Sequence, residues 1–207
     1  LVALLTIHGT GAACGWWLAP GSPCYNSAVR GACFMERKGI IMVYTGDGKG
    51  KTTAAMGLVL RAVGHGHKAA IVQFMKGQPT GELDAIAKFM PSVDIHRFGR
   101  DVFVDASNPD PADERLAQDG LNTAIELLRS DLDLLVLDEA NVAMDYGLFN
   151  RQKLVSALES RPAKMTVVLT GRGLNPDIER IADLISEIRE IRHHWRQGIP
   201  AQDGIEQ

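Results

Sequence analysis

The sequence predicts an α/β domain built on a mostly parallel sheet flanked by helices, and three observations carry that prediction. Apolar runs of strand length alternate with helix-length amphipathic stretches from residue 40 to residue 191, the pattern of strands joined by helical crossovers. The first apolar run ends in a glycine-rich loop closed by Lys51-Thr52-Thr53. Two later runs end in Asp138-Glu139 and in Thr170-Gly-Arg-Gly173. Ligands of parallel sheets collect at the carboxyl ends of strands, where all three polar groups fall.

Taken in order, Ile40–Thr45 is an apolar run and reads as a buried strand, and Thr52–Val63 reads as the helix after it. Gly64 suits the C-terminal cap of that helix, so His65 and His67 belong to a turn and not to a metal site. Ala69–Phe74 is the second strand, with Glu82–Met90 as its helix, and Val93–Phe98 the third. Gly99 to Ala112 holds Asn108-Pro-Asp-Pro111 and cannot be regular throughout; irregular segments of that length are usually functional, and a substrate lid is expected here. Asp113–Ser130 is a long helix, Leu132–Asp138 a strand with the apolar run Leu134–Leu137, and Arg151–Ser160 a helix. Met165–Thr170, Pro176–Asp183 and Leu184–Ile191 complete the alternation as strand, helix and strand. His193-His194 would then follow a strand end, where adjacent side chains point to opposite sides and rarely share one ion.

The loop Gly46-Asp47-Gly48-Lys49-Gly50-Lys51-Thr52-Thr53 has the character of a triphosphate cradle. Its glycines leave room for backbone N–H groups to turn inward on an anion, and the following helix presents its positive dipole end there. Lys51 is placed to reach phosphate oxygens and the Thr52 hydroxyl to ligate Mg²⁺. Thr45 stands where the common form of this loop has glycine, so the loop is a variant. With a strand before it and a helix after it, the motif points to a phosphate-loop, RecA-like nucleotide-binding domain.

Asp138-Glu139 closes the strand Leu134-Leu-Val-Leu and is the second half of a nucleotide site, one carboxylate holding Mg²⁺ directly or through water. Arg172, in the turn after another strand, either clamps anionic oxygens or is a solvated turn residue. Arg61, near the end of the first helix, is open between a salt bridge and a ligand contact. No Ser-His-Asp or Cys-His constellation stands out in the sequence.

Composition bounds the rest. The 207 residues, 45% of them apolar, suffice for one well-buried domain. A net charge of −3 argues against nucleic acid, since phosphate-backbone binding needs clustered excess Lys and Arg. The apolar stretches are of strand length, too short to span a membrane. Residues 1 to 34 differ from the remainder: they hold one charged side chain, Arg30, and all three cysteines. They read as a poorly ordered N-terminal extension, with Met35 a candidate start, leaving 35–207 as the functional domain. The cysteine spacings match no zinc pattern, and the cysteine-free remainder fits a reducing cytoplasm.

The ordered set Tyr44-Thr-Gly-Asp-Gly-Lys-Gly-Lys-Thr-Thr-Ala-Ala55, Arg61-Ala-Val-Gly-His-Gly66, Val72-Gln-Phe-Met-Lys-Gly77, Val136-Leu-Asp-Glu139, Leu169-Thr-Gly-Arg-Gly173 and Gly198-Ile-Pro-Ala-Gln-Asp-Gly-Ile-Glu206 closely resembles the ATP:corrinoid adenosyltransferases of vitamin B12 synthesis and salvage. The resemblance runs from about Met35 to the C-terminus and includes Thr45 in the loop. It implies that reduced cobalt of a corrinoid attacks the ribose C5′ of ATP and that inorganic triphosphate leaves, with the nucleotide reversed relative to other phosphate-loop proteins. It also implies that Gly46 to Thr53 hold the triphosphate, Lys51 and Thr52 contacting phosphate and Mg²⁺, that Glu139 is a Mg²⁺ ligand, and that Arg61 supports conformation or contacts nucleotide. Further implications are a homodimer, a flavoprotein electron donor, and an apolar lid over which the corrin rests. A known form of that lid carries Phe and Trp two residues apart; here the corresponding Asp101-Val-Phe-Val104 has no tryptophan, leaving Val102, Phe103 and Val104 as candidate corrin contacts. The loop motif alone would equally suit an ATPase or nucleotide kinase acting at the γ-phosphate.

Overall fold

The computed structural model describes residues 37–78 and 80–205; the expected extension at residues 1–34 lies outside them. Six strands form one sheet: β1 (Ile41–Thr45), β2 (Ala69–Phe74), β3 (Asp94–Phe98), β4 (Leu134–Asp138), β5 (Thr166–Thr170) and β6 (Leu184–Glu187). Their order is β3-β2-β4-β5-β1-β6 and every pairing is parallel. The helices are α1 (Lys51–Gly64), α2 (Gly81–Phe89), α3 (Pro111–Leu127), α4 (Ala140–Asp145), α5 (Arg151–Glu159) and α6 (Pro176–Ile181), with a 3-10 turn at His194–Gln197.

Burial along the strands follows their rank in the sheet. Every residue of β2 and β4 is buried, whereas the edge strands β3 and β6 are largely exposed, as expected when helices cover both faces of the centre. Successive residues of a central strand feed opposite cores. Ile71, Leu134, Val136 and Val168 pack with Ala55, Met56 and Val59 of α1 and with Leu83 and Ile86 of α2. Val72, Leu135, Leu137, Val167 and Leu169 pack with Leu121 of α3, Leu154 and Leu158 of α5 and Ile178 of α6. Truncating one such leucine to alanine costs about 2–5 kcal/mol, so the strand ends that carry the polar groups are set in a rigid frame.

The differences from the sequence expectation lie at element ends and have local causes. α3 starts two residues before Asp113 because Pro111 takes the first helical position and the Asp110 carboxylate accepts from Ala112 N–H. α4 was hidden by its length, six residues directly after the acid pair. β6 stops at Glu187, not Ile191, so His193 and His194 belong to a 3-10 turn and its cap instead of a strand end.

The segment after β6 explains two loop glycines. Gly48 N–H donates to Ile188 O at 2.7 Å, and a Cβ on Gly46 or Gly48 would lie 2.4 or 2.7 Å from that same carbonyl. These glycines therefore admit the C-terminal segment, and the Gly48 N–H is turned toward it instead of inward on an anion. Gly50 differs: nothing lies near its Cβ position, but its φ of 113° excludes ordinary side chains. Replacement Gly48→Ala is expected to push Ile188 and Arg189 away and to lower stability by about 1–3 kcal/mol in urea denaturation. An unchanged midpoint would show that the close approach is not maintained.

Candidate active site

The sheet brings the polar strand ends together around the Asp138 carboxylate. Asp138 is fully buried at the end of β4. Its Oδ1 accepts from Thr52 Oγ1 at 2.9 Å and from Thr170 Oγ1 at 2.6 Å; its Oδ2 accepts from Gln73 Nε2 at 2.9 Å and from Lys76 Nζ at 3.1 Å. Those partners come from α1, β5, β2 and the turn after β2, so one carboxylate ties four pieces of chain. Burial alone would raise its pKa. The Lys76 charge and the donors Gln73, Thr170 and Lys76 outweigh that effect and hold it below the ordinary 3.8.

Glu139 follows in the left-handed conformation, φ 59°. A bulky residue held there stores strain that the surrounding contacts must offset, and here its N–H donates to Thr170 Oγ1 at 3.0 Å. Its carboxylate lies 3.2 Å from Lys76 Nζ. Thr52 Oγ1, Asp138 and Glu139 thus gather hard oxygens around Lys76 Nζ, and Glu139 and Lys76 line a cavity. Mg²⁺ takes such donors, one or two carboxylates with the remaining positions left to water and substrate phosphate, so this donor set fits it. No cluster of three or more His, Cys, Asp or Glu suited to a metal occurs among the described residues, and a site completed by phosphate needs none.

Across from these groups, Lys51 Nζ donates to Gly46 O at 2.6 Å and Gly48 O at 2.7 Å, bracing the loop from within. Burial lowers its pKa, Arg172 and Lys76 add to the lowering, and Glu139 and Asp47 oppose it. Thr45, the departure from the common loop, has a use: its Oγ1 donates to Gly173 O at 2.8 Å, pinning the Arg172 turn to the phosphate loop. Arg172 Nε in turn stands 3.7 Å from Asp47 Oδ1, both side chains exposed.

The cavity between these walls has a volume of about 740 Å³. Its lining combines Asp47, Gly48, Lys49, Lys51, Lys76, Glu139 and Arg172 with Phe103, Val104, Tyr146, His193 and Trp195. Phe103 is fully exposed and Trp195 is 75% exposed. Of the three candidate corrin contacts, Phe103 and Val104 line the cavity and Val102 does not. Thr53 is exposed at the helix start and outside the lining. Arg61, ten residues beyond Lys51 on α1, is about 15 Å further along the helix at 1.5 Å per residue. It is exposed and absent from the cavity wall.

Sequence reasoning gave no role to Gln73, Lys76, Thr170 or Trp195. Gln73 had a signal: it is a polar residue inside the apolar run Ala69–Phe74, and a buried amide needs a partner. Lys76 had none, since its approach depends on Met75 adopting φ 58°. Trp195 lines the cavity from the 3-10 turn His194–Gln197, beyond the end of the expected last strand.

Strand order, loop, hydroxyl and acid pair together define a phosphate-loop nucleotide-binding protein. Comparison with known sequences narrows this: residues 37–207 match the family described as ATP:corrinoid adenosyltransferase BtuR/CobO/CobP, and the chain belongs to that family. It is 36% identical over 173 residues to a corrinoid adenosyltransferase of Pseudomonas aeruginosa, covering 83% of this chain and 85% of the relative. It is 38% identical over 172 residues to one of Escherichia coli K12 (83% and 87%). It is also 38% identical over 173 residues to the corrinoid adenosyltransferase CobA of Salmonella typhimurium (83% and 87%).

A pH dependence follows from Asp138. Its pKa is depressed on folding, so its contribution to stability is present above 3.8 and is lost as pH falls through the lower, folded-state value. Asp138→Asn should therefore lose about 3 kcal/mol near pH 7 and show a flatter acid limb than the unaltered chain in urea midpoints measured down to about pH 2. Parallel acid limbs would show that Asp138 carries no such linkage.

Proposed function

We propose that this transferase moves the 5′-deoxyadenosyl group of ATP to the Co(I) of a corrinoid, releasing inorganic triphosphate, in the making or salvage of adenosylcobalamin. The observation that carries the reading is a cavity whose lining joins the phosphate loop and the cations Lys51, Lys76 and Arg172 to Phe103, Tyr146 and Trp195. A polyanion suits the first set, and a large flat ring system suits the second. The family membership and the names of its relatives support the same reaction.

The chemistry asks little of side chains as acids or bases. The cobalt electron pair forms the bond to C5′, the C5′–O bond breaks, and its electrons leave on the triphosphate. The task of the protein is to hold the leaving group and to stabilise the charge that gathers on it. Lys51 and Arg172 present cations toward that charge, and the loop 46–53 fixes its position. Thr52 and Glu139 would hold Mg²⁺, with Asp138 orienting Thr52; bound there, Mg²⁺ supplies neutralisation of phosphate charge. Phe103 and Val104, together with Trp195, offer the corrin an apolar rest from which water is displaced.

The working unit in this reading is residues 35–207, acting as a homodimer that takes electrons from a flavoprotein donor. No helix among the described residues is long and apolar enough to cross a membrane, and the absence of cysteine after Cys33 supports a reducing, cytoplasmic setting.

Product analysis tests the reaction. ATP plus a photoreduced corrinoid should yield triphosphate and a light-sensitive cobalt–carbon bond; ADP as product would instead place the chemistry at the γ-phosphate. Lys51→Ala is expected to lower turnover by about 10²–10³-fold, and unchanged turnover would remove the loop from the site. Phe103→Ala should raise the corrinoid KM or slow cobalt reduction while leaving ATP affinity close to its original value. The reverse pattern in paired titrations would place Phe103 on the nucleotide side.

A further inference from the structure

Lys76 stands at the point where the metal-holding groups converge. Its Nζ lies 3.1 Å from Asp138 Oδ2, 3.2 Å from Glu139 Oε1 and 3.2 Å from Thr52 Oγ1. An ammonium has three protons and no acceptor, so these three oxygens saturate it. The hydroxyl in the triad is directional: Thr52 donates to Asp138 Oδ1 at 2.9 Å and accepts from Lys76. Met75, directly before Lys76, is in the left-handed conformation, φ 58°.

Mg²⁺ requires its oxygens at about 2.0–2.1 Å in near-octahedral order. A divalent ion drawing on Thr52 and Glu139 and an ammonium bound to those two groups and to Asp138 would have to share one small space, and they repel each other. We propose that Lys76 is a resident counter-cation of the metal site, which satisfies the carboxylates by itself and makes metal entry depend on nucleotide. Metal alone must expel a well-bonded ammonium with no partner waiting for it. With a triphosphate in the cavity, phosphate oxygens accept the displaced ammonium, since Lys76 lines the same wall as Lys51. The order of loading is thereby built into the site: metal enters with the nucleotide and not ahead of it. This inference rests on Thr52 and Glu139 being the groups that hold the metal.

The test is protein-retained Mn²⁺, measured by electron paramagnetic resonance after ultrafiltration of the full chain without corrinoid, with Mn²⁺ alone and with AMP-PNP, whose β,γ-imido bridge resists hydrolysis. The unsubstituted chain should retain Mn²⁺ alone about tenfold or more less tightly than Mn²⁺ with AMP-PNP. Lys76→Gln, which keeps a hydrogen-bond donor and removes the charge, should raise the affinity for Mn²⁺ alone by about tenfold or more and shrink its dependence on nucleotide. Equal retention by the unsubstituted chain with and without AMP-PNP overturns the proposal and needs no folded variant. So does a Lys76→Gln protein that loses AMP-PNP binding without gaining affinity for Mn²⁺ alone, which would make Lys76 a phosphate ligand only. Glu139→Gln separates the two levels. If it retains Mn²⁺ with AMP-PNP undiminished, the metal assignment itself fails. If it loses that retention while Lys76→Gln gains none, only the counter-cation fails.

Discussion

A buried carboxylate that cannot be left unpaired organises this molecule. Asp138 sits at the end of the central strand β4, out of contact with water, and accepts from Thr52, Thr170, Gln73 and Lys76. An unpaired charge in that position would be prohibitive, so the phosphate-loop helix, the end of β5 and the end of β2 are all obliged to arrive where they do. Geometry useful for binding a nucleotide is thus a by-product of satisfying one acid. The order of the sheet makes it possible: β5 lies between β1 and β4, and its last residue, Thr170, bridges to Asp138 through its hydroxyl and receives the N–H of Glu139.

The fold was legible because its signals are local and repeated. Continuous apolar runs such as Leu134–Leu137 are what a strand covered on both faces requires, and the alternation with helices leaves little choice of architecture. Ends were less legible where a cap decides them, as with Pro111, and α4 was invisible because six residues show too little periodicity. Around the cavity, the motifs singled out Lys51 and Glu139, which line it, and Thr52, which bonds Asp138. Lys76 and Trp195 were not, since each arrives by a backbone turn, one left-handed and one 3-10, that leaves no periodic trace.

The glycines of the loop carry a different lesson. Read as sequence, those at 46, 48 and 50 all make space for phosphate. In the fold, two of the three are small because Ile188 O lies where their side chains would be, and Gly50 is needed for its φ. Likewise Thr45, which reads as a defect in the motif, ties the loop to Gly173. A motif therefore compresses several unrelated constraints, and only the neighbours of each residue show which one applies.

The contact between Gly48 and Ile188 also fixes where the C-terminal segment leaves the sheet. Two residues past Ile188 the chain reaches Glu190, and then His193 and Trp195, all of which line the same cavity as Asp47 and Gly48. One backbone hydrogen bond therefore anchors both contributors to that lining, the phosphate loop and the tail.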